Sequence, residues 1–167
     1  EARDFCTMCL PYIDVLFGIE PYHLWKDEQD HQTGDVKDGV PFQPDFKQQD
    51  EVFHGFVKRY PNIKCIARHV RYAHSCSENS LMAYLWYDGK TYESQKLRFH
   101  ILDRVGGGDA FVSGIIYALM NEYKPQDIAD FGVAASAVKH TIHGDGNITD
   151  DVSLIEHIMQ MNFDIKR

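Results

Sequence analysis

Short runs of apolar residues alternate along the chain with segments in which apolar residues recur at helical spacing. The apolar runs predict strands at residues 13–17, 63–67, 81–87 and 92–101. The helical spacing predicts helices at residues 48–60, 108–123, 126–139 and 151–161. Between the last two strands, the Asp88-Gly89 pair favours a hairpin turn. Because strands and helices alternate, the sequence predicts an α/β fold built on a layered sheet.

The size and charge of the chain limit the classes of ligand that it can bind. The 167 residues carry 17 Lys and Arg against 25 Asp and Glu, a net charge of −8 at pH 7. A chain of this length can bury about 70% of the surface that its unfolded form exposes, which predicts a single α/β domain over residues 1–167. Its basic residues are scattered, which argues against a nucleic-acid partner. An anionic ligand must therefore be held by a local site.

Nothing in the sequence suggests a membrane segment or a secretory signal. No apolar run approaches the roughly 20 residues that span a bilayer, and no basic segment followed by an apolar one stands at the N-terminus. We therefore expect a cytoplasmic protein that does not contact membranes. Residues 26–45 are polar and contain several Gly and Pro, which predicts an inserted surface loop.

Cys6 and Cys9 form a CxxC motif that has two interpretations. It could be half of a zinc site or a redox pair, but the other two cysteines do not form the second close pair that a structural zinc site needs. The alternative is an N-terminal helix that turns Phe5, Cys6, Cys9 and Leu10 toward the core. This alternative requires no metal.

Three consecutive glycines, Gly106, Gly107 and Gly108, follow an extended segment and begin an apolar helix. Glycines leave room for an anion to approach the backbone, and amides at a helix N-terminus can donate to phosphate oxygens without any lysine. Asp109 follows in the first helical turn, where its carboxylate can accept a proton from a hydroxyl nucleophile. An anion site beside such a carboxylate is the minimum that a kinase requires.

The same residues also have a purely structural interpretation. Gly106 to Gly108 could form only a tight turn between strand and helix, with Asp109 contributing about 0.3–1 kcal/mol through the helix dipole. The spacing matches neither a dinucleotide-binding GxGxxG motif nor a Walker loop. The context favours function, because Asp103 precedes the glycines and the small pair Ser113-Gly114 follows one turn into the helix.

The segment from Asp103 to Asp109, DRVGGGD, resembles the second signature of the ribokinase (PfkB) family of sugar kinases, in the variant found in 2-dehydro-3-deoxygluconate kinases. Residues 10–20, 67–86 and 134–147 are similar to that family's Gly-Asn-Glu strand, its nucleotide-side loop and its C-terminal helix with closing loop. The resemblance covers nearly the whole chain but only about the C-terminal half of such a kinase. It implies a ribokinase-like α/β/α fold in which the lid and sugar-contacting strands are absent.

The resemblance also implies a function. It implies that the γ-phosphate of ATP is transferred to 2-dehydro-3-deoxy-D-gluconate or a related sugar acid, with Asp109 as base and Gly106 to Gly108 as anion hole. ATP and Mg²⁺ are the expected cofactors, and Glu20 is the expected metal-site residue. Because Ile19 replaces the family's Asn, either the nucleotide phosphates hold most of the metal or this part of the site is degenerate. A non-catalytic nucleotide-binding or interaction module is the alternative, and a homodimer is left open.

Further site residues follow from the resemblance and from a predicted loop at residues 68–80. Arg68, Arg71, Ser77 and Asn79 are expected to bind the nucleotide, although arginines on a loop can be simply solvated and the polar residues can cap a turn. Asp145 is expected to bind substrate, the alternative being a turn residue. From the glycine motif we also expect that Gly107→Val would impair phosphate binding more than folding.

Overall fold

The structure, a computed structural model, describes residues 2–18, 45–147 and 152–160. The helices of these residues are α1 (Ala2–Cys9), α2 (Phe46–Arg59), α3 (Gly107–Met120), α4 (Pro125–Lys139) and α5 (Val152–Gln160), and Leu10–Tyr12 form a 3₁₀ turn. The strands are β1 (Val15–Phe17), β2 (Cys65–Ala73), β3 (Glu78–Tyr87), β4 (Lys90–Glu93) and β5 (Leu97–His100). The predicted surface loop lies outside the described residues except for Asp45, and so do Ile19 and Glu20.

The strands form one mixed sheet in the order β1-β2-β3-β4, with β5 paired to β3. The pair β1 and β2 is parallel and places Val15 opposite Cys65. The pair β3 and β5 is antiparallel and places Asn79 opposite Phe99. A mixed sheet with flanking helices confirms the predicted α/β class.

The predicted hairpin turn between β3 and β4 is confirmed at Asp88 and Gly89. Both residues have positive φ, at 47° and 79°. Such angles at both central residues are typical of the tight turns that match the twist of paired strands. Asp and Gly are the residue types that tolerate this conformation, so the local sequence was sufficient to predict the turn.

Two compact units make up the chain, and the first comprises Glu1–Arg68 with Trp86–Thr91. Helix α2 begins after Asp45, whose side chain accepts a hydrogen bond from the Gln48 N–H at 2.8 Å. This N-cap satisfies one of the free amides that every helix start exposes. The helix buries Phe53 and Phe56 along one face, as its apolar spacing predicts.

Helix α1 is present, but the predicted burial of its side chains is wrong for two of four residues. Phe5 is 68% exposed and Cys6 is also exposed, whereas Cys9 is half-buried and Leu10 is buried. Helix α1 is only eight residues long and the chain turns at Pro11. Only the end of the helix therefore reaches the core.

The second unit comprises His69–Leu85 with Tyr92–Arg167. Its helices α3 and α4 approach closely at two glycines: a Cβ on Gly114 would lie 2.9 Å from the Ala135 Cβ and 3.1 Å from the Gly132 Cα. The small residues of both helices therefore bring the backbones together. Helix α4 begins with Pro125, which suits a first helical position, and it is buried without interruption from Phe131 to His140.

The predicted loop at residues 68–80 is wrong, because most of it forms a β-hairpin. Arg68 and Arg71 lie in β2, Asn79 lies in β3, and only residues 74–77 form the connecting turn, where Ser77 is exposed. The polar composition concealed an alternation along β2, in which Val70 is buried while Arg71 is exposed. Pairing within the sheet satisfies the backbone groups, so polar side chains can occupy a strand whose other face is covered.

Candidate active site

The glycine turn begins at Gly106, which precedes α3 with φ of 77°. This left-handed conformation is accessible to glycine without steric cost. A Cβ at this position would also lie 2.7 Å from the backbone O of Asp145. Gly106 is therefore required both by the turn and by its contact with the loop of residues 141–147.

The next two glycines have different environments. Gly107 is buried, and a Cβ there would lie 2.3 Å from Cε1 of His140. Its carbonyl accepts a hydrogen bond from the Ser136 hydroxyl at 2.8 Å. Gly108 is exposed, with open space where its Cβ would be. The expectation that Gly107→Val would mainly impair phosphate binding is therefore wrong, because a side chain at Gly107 would collide with the His140 ring.

Two backbone amides at the start of α3 are available to a ligand. The Ala110 N–H already donates to the Gly106 carbonyl at 2.9 Å. Within the described part of the chain, the N–H groups of Gly108 and Asp109 have no acceptor, and both residues are exposed. Such amides carry the partial positive charge of the helix N-terminus. They can bind an oxyanion beside the Asp109 carboxylate.

Asp103 joins the glycine turn to the loop of residues 141–147. Its Oδ1 accepts from the Val105 N–H at 3.1 Å, and its Oδ2 accepts from the Gly144 N–H at 2.8 Å. These backbone hydrogen bonds hold the pKa of Asp103 below its ordinary value, and the one from Val105 has the larger effect. Asp103 thus holds the glycine turn and the loop of residues 141–147 together.

Two residues at the end of α4 complete the turn, and sequence reasoning did not identify their role. Lys139 is fully buried, and its Nζ donates to the carbonyls of Gly144 at 2.7 Å and Ile142 at 3.3 Å. The backbone O of His140 accepts from the N–H groups of Leu102 and Asp103. The only sequence signal was the run of mostly apolar residues from Phe131 to Val138, which precedes Lys139 and indicates that the end of α4 is buried.

The His140 ring fixes the position of Gly107. Its Nδ1 lies 2.7 Å from the Ser136 carbonyl O, so Nδ1 carries a proton and donates to that oxygen. The ring also packs on Phe99 at 5.2 Å between centroids. Burial lowers the pKa of His140, and the charges of Arg71, Lys139 and Arg104 lower it further. The imidazole is therefore neutral near pH 7.

The structure brings some of the predicted site residues together and separates others. Asp145 contacts the glycine turn through its backbone, and the charge of Arg71 acts on His140 in the same unit. Arg68 lies in the first unit, buried, and donates to Gln49 Oε1 at 2.7 Å. Ser77 is exposed in the hairpin turn, where its N–H donates to the Ser75 hydroxyl. Asn79 is fully buried, and its side-chain amide has no partner among the described residues.

The predicted metal-site residue, Glu20, lies outside the described residues. Among the residues that are described, no group of three or more His, Cys, Asp or Glu side chains could hold a metal ion. In the same part of the chain, no helix is both long enough and apolar enough to cross a membrane.

The chain is similar to known proteins in part of its sequence and in its fold. The pattern of the pfkB family carbohydrate kinases matches residues 82–151. A "5-dehydro-2-deoxygluconokinase" of Clostridium botulinum is 31% identical over 71 residues, which is 42% of this chain and 20% of that protein.

Solved structures extend the similarity to nearly the whole chain. The 2-dehydro-3-deoxygluconokinase of Thermotoga maritima has a TM-score of 0.77 at 25% identity, covering 95% of this chain and 45% of that one. A PfkB family carbohydrate kinase of Listeria grayi has a TM-score of 0.74 at 25% identity, covering 94% and 44%. The chain therefore spans less than half the length of these relatives. Sequence pattern and fold thus agree that the chain is similar to the pfkB family of carbohydrate kinases, over residues 82–151 in sequence and over nearly the whole chain in fold.

Proposed function

We propose that this chain carries the phosphate-binding and catalytic residues of an ATP-dependent kinase that phosphorylates a keto-deoxy sugar acid. The observation that supports this most directly is the pair of unpaired amides, on Gly108 and Asp109, beside the exposed Asp109 carboxylate. The amides are aligned with the dipole of a 14-residue helix. A phosphoryl group and an acceptor hydroxyl can meet there.

In the proposed reaction each group has one task. Oxygens of the transferring phosphoryl group accept hydrogen bonds from the Gly108 and Asp109 amides. Asp109 orients the acceptor hydroxyl and takes its proton as the new P–O bond forms and the bond to ADP breaks. Asp103 holds the glycine turn in place, so the amides are oriented before the substrate arrives.

ATP is the proposed phosphoryl donor, with Mg²⁺ bound mainly by its phosphates. Mg²⁺ is commonly held by one or two carboxylates together with substrate phosphates, and this is the arrangement proposed here. Mg²⁺ would neutralise charge on the phosphates. Glu20 is proposed as a carboxylate that helps to orient the ion. The proposed nucleotide-binding residues remain Arg68, Arg71, Ser77 and Asn79. Asp145 remains proposed for substrate.

The first candidate substrate is 2-dehydro-3-deoxy-D-gluconate. The chain is similar over most of its length to the Thermotoga maritima 2-dehydro-3-deoxygluconokinase. The second candidate is 5-dehydro-2-deoxy-D-gluconate, because the Clostridium botulinum relative is a 5-dehydro-2-deoxygluconokinase.

A substrate panel tests the proposal. The purified protein is incubated with MgATP and either candidate, with D-gluconate and D-ribose as controls. ADP release is followed, and the mass of the sugar product is measured by mass spectrometry. Turnover of a keto-deoxy acid, with a gain of one phosphoryl group, supports the proposal. Binding of MgATP without turnover on either acid would favour the non-catalytic nucleotide-binding module instead.

A further inference from the structure

The Lys139 ammonium occupies an unusual position. The side chain is fully buried, and it forms no ion pair within the described part of the chain. The charge of Lys139 acts on the Asp103 carboxylate, but no direct ion pair offsets the cost of burying the ammonium. The residue therefore requires an explanation other than stability.

The surroundings of Lys139 place its side chain between the glycine turn and the loop of residues 141–147. Its Nζ donates to the Gly144 carbonyl at 2.7 Å, while the Gly144 N–H donates to Asp103 Oδ2 at 2.8 Å. Gly144 is thus held through both of its backbone groups. The Lys139 Cε also lies 3.0 Å from the position of a Cβ on Gly106. The aliphatic stem of Lys139 therefore packs directly behind the glycine turn.

We propose that Lys139 is a positioning residue of the phosphate site, which acts as a built-in cation beneath the glycine turn. It holds the loop around Gly144 against Gly106 and adds positive potential where phosphate oxygens meet the amides of Gly108 and Asp109. This inference rests on the proposed kinase function.

The net negative charge of the chain makes a local positive charge important for binding an anionic nucleotide. With a net charge of −8, the chain repels an anionic nucleotide at long range. Arg71 and Arg104 are exposed, so water and salt screen their charges. The buried ammonium is screened much less, because it lies in a medium of low dielectric constant.

Three variants separate the charge of Lys139 from its hydrogen bonds. Lys139→Met removes both at similar volume, and Lys139→Gln keeps a donor without a charge. Lys124→Met is the matched control, since Lys124 is exposed and precedes the opposite end of the same helix. Two quantities are measured for each variant: the hydrogen-exchange rates of the Gly144 and Asp145 amides, and kcat with the KM of the sugar acid.

In Lys139→Met we expect faster exchange at both amides and a kcat lowered about tenfold or more, with the sugar KM within about twofold of wild type. In Lys139→Gln we expect exchange close to wild type but a kcat that remains low. Lys124→Met should match wild type in both measurements. If Lys139 had only a structural role, Lys139→Gln would recover kcat together with the exchange rates, and the two measurements would change in parallel.

The outcomes distinguish this inference from the proposed function. Wild-type kcat in Lys139→Gln would overturn the electrostatic role, and this variant remains informative if Lys139→Met does not fold. Unchanged exchange at Gly144 in folded Lys139→Met would overturn the positioning role even if the wild-type protein phosphorylated no sugar acid. Absence of wild-type turnover, with faster exchange in Lys139→Met, would refute the kinase proposal and support the positioning role alone.

Discussion

The three consecutive glycines of the motif have three separate reasons to be glycine. Gly106 needs its positive φ, Gly107 leaves space for the His140 ring, and Gly108 leaves open space beside an unpaired amide. Only the last environment is the one that an approaching phosphate would use. The first two glycines are therefore explained by the turn and by packing, and Gly108 is the one proposed to adjoin the phosphate.

Asp109 is the residue on which the proposed chemistry depends. Asp109→Asn should lower kcat by about 10²–10⁴-fold, because the amide cannot accept the proton of the sugar hydroxyl. Nucleotide affinity should be nearly unchanged. Steady-state kinetics and equilibrium nucleotide binding measure the two effects.

Asp127→Asn is the control for Asp109→Asn, since Asp127 is a first-turn carboxylate of α4. Both changes remove a favourable interaction with a helix dipole, worth about 0.3–1 kcal/mol. Only Asp109→Asn should lower kcat by about 10²–10⁴-fold. Near wild-type kcat in Asp109→Asn would remove the base from the mechanism.

Alanine at Gly107 and at Gly108 should have opposite effects. Gly107→Ala should lower the free energy of unfolding by about 1–3 kcal/mol, because the new Cβ overlaps the His140 ring. Gly108→Ala should raise it by about 0.5–1 kcal/mol, since alanine favours a helix over glycine. Its kcat/KM for ATP should nevertheless fall about tenfold, because the methyl group displaces the phosphate. Denaturant unfolding and kinetics would show this, and a fully active Gly108→Ala would contradict the anion site.

At the scale of the elements, the close contact of α3 with α4 places the glycine turn against the end of α4. Gly114→Ala should destabilise the chain by about 1–3 kcal/mol, because its Cβ would lie 2.9 Å from the Ala135 Cβ. Gly55→Ala on α2 is the matched control, since nothing lies within 4 Å of its Cβ position. That variant should be more stable than wild type by about 0.5–1 kcal/mol. Equal unfolding midpoints for the two variants would show that the helices can separate without loss.

The β2-β3 hairpin shows why a polar segment was misassigned at this scale. Tyr72 and Met82 contact each other, and Arg98 pairs with Glu78 on the same face. Each of these contacts joins residues of two different strands, so neither is visible in the local sequence. Cross-strand pairs of this kind stabilise a strand that has little apolar character of its own.

At the scale of the whole molecule, stability should depend on pH through His140. Burial lowers its pKa, so the folded chain resists protonation while the unfolded chain takes up a proton near the ordinary value of about 6.5. The unfolded state then binds more protons than the folded state. Stability therefore begins to fall when the pH drops below about 6.5, and it continues to fall until the pH reaches the lower pKa of the folded state. The melting temperature should fall accordingly between about pH 7 and pH 5.5.

His140→Asn tests this dependence, because asparagine keeps a donor for the Ser136 carbonyl but does not titrate. We expect a lower melting temperature at pH 7 but a smaller further decrease toward pH 5.5. His143→Asn, at an exposed position of the adjacent loop, should keep the wild-type dependence. An identical decrease in wild type and His140→Asn would place the titrating group elsewhere.

The sequence alone determined the features that depend on neighbouring residues. The Asp88-Gly89 turn, the helices α2 to α5 and the succession of glycines and Asp109 at the start of α3 follow from backbone preference and helical spacing within a few residues. The resemblance of DRVGGGD to the ribokinase family was likewise readable from consecutive residues. These predictions needed no knowledge of what packs on them.

Tertiary structure decided which side chains face each other. Lys139 was an ordinary helix-end lysine in the sequence, and it became a buried cation only because α4 ends behind Gly106. Gly107 differs from Gly108 because His140, far along the chain, covers one and not the other. Asn79 entered the core through strand pairing. Burial and desolvation arise from the packing of distant segments, so a local pattern could name these residues but could not assign their roles.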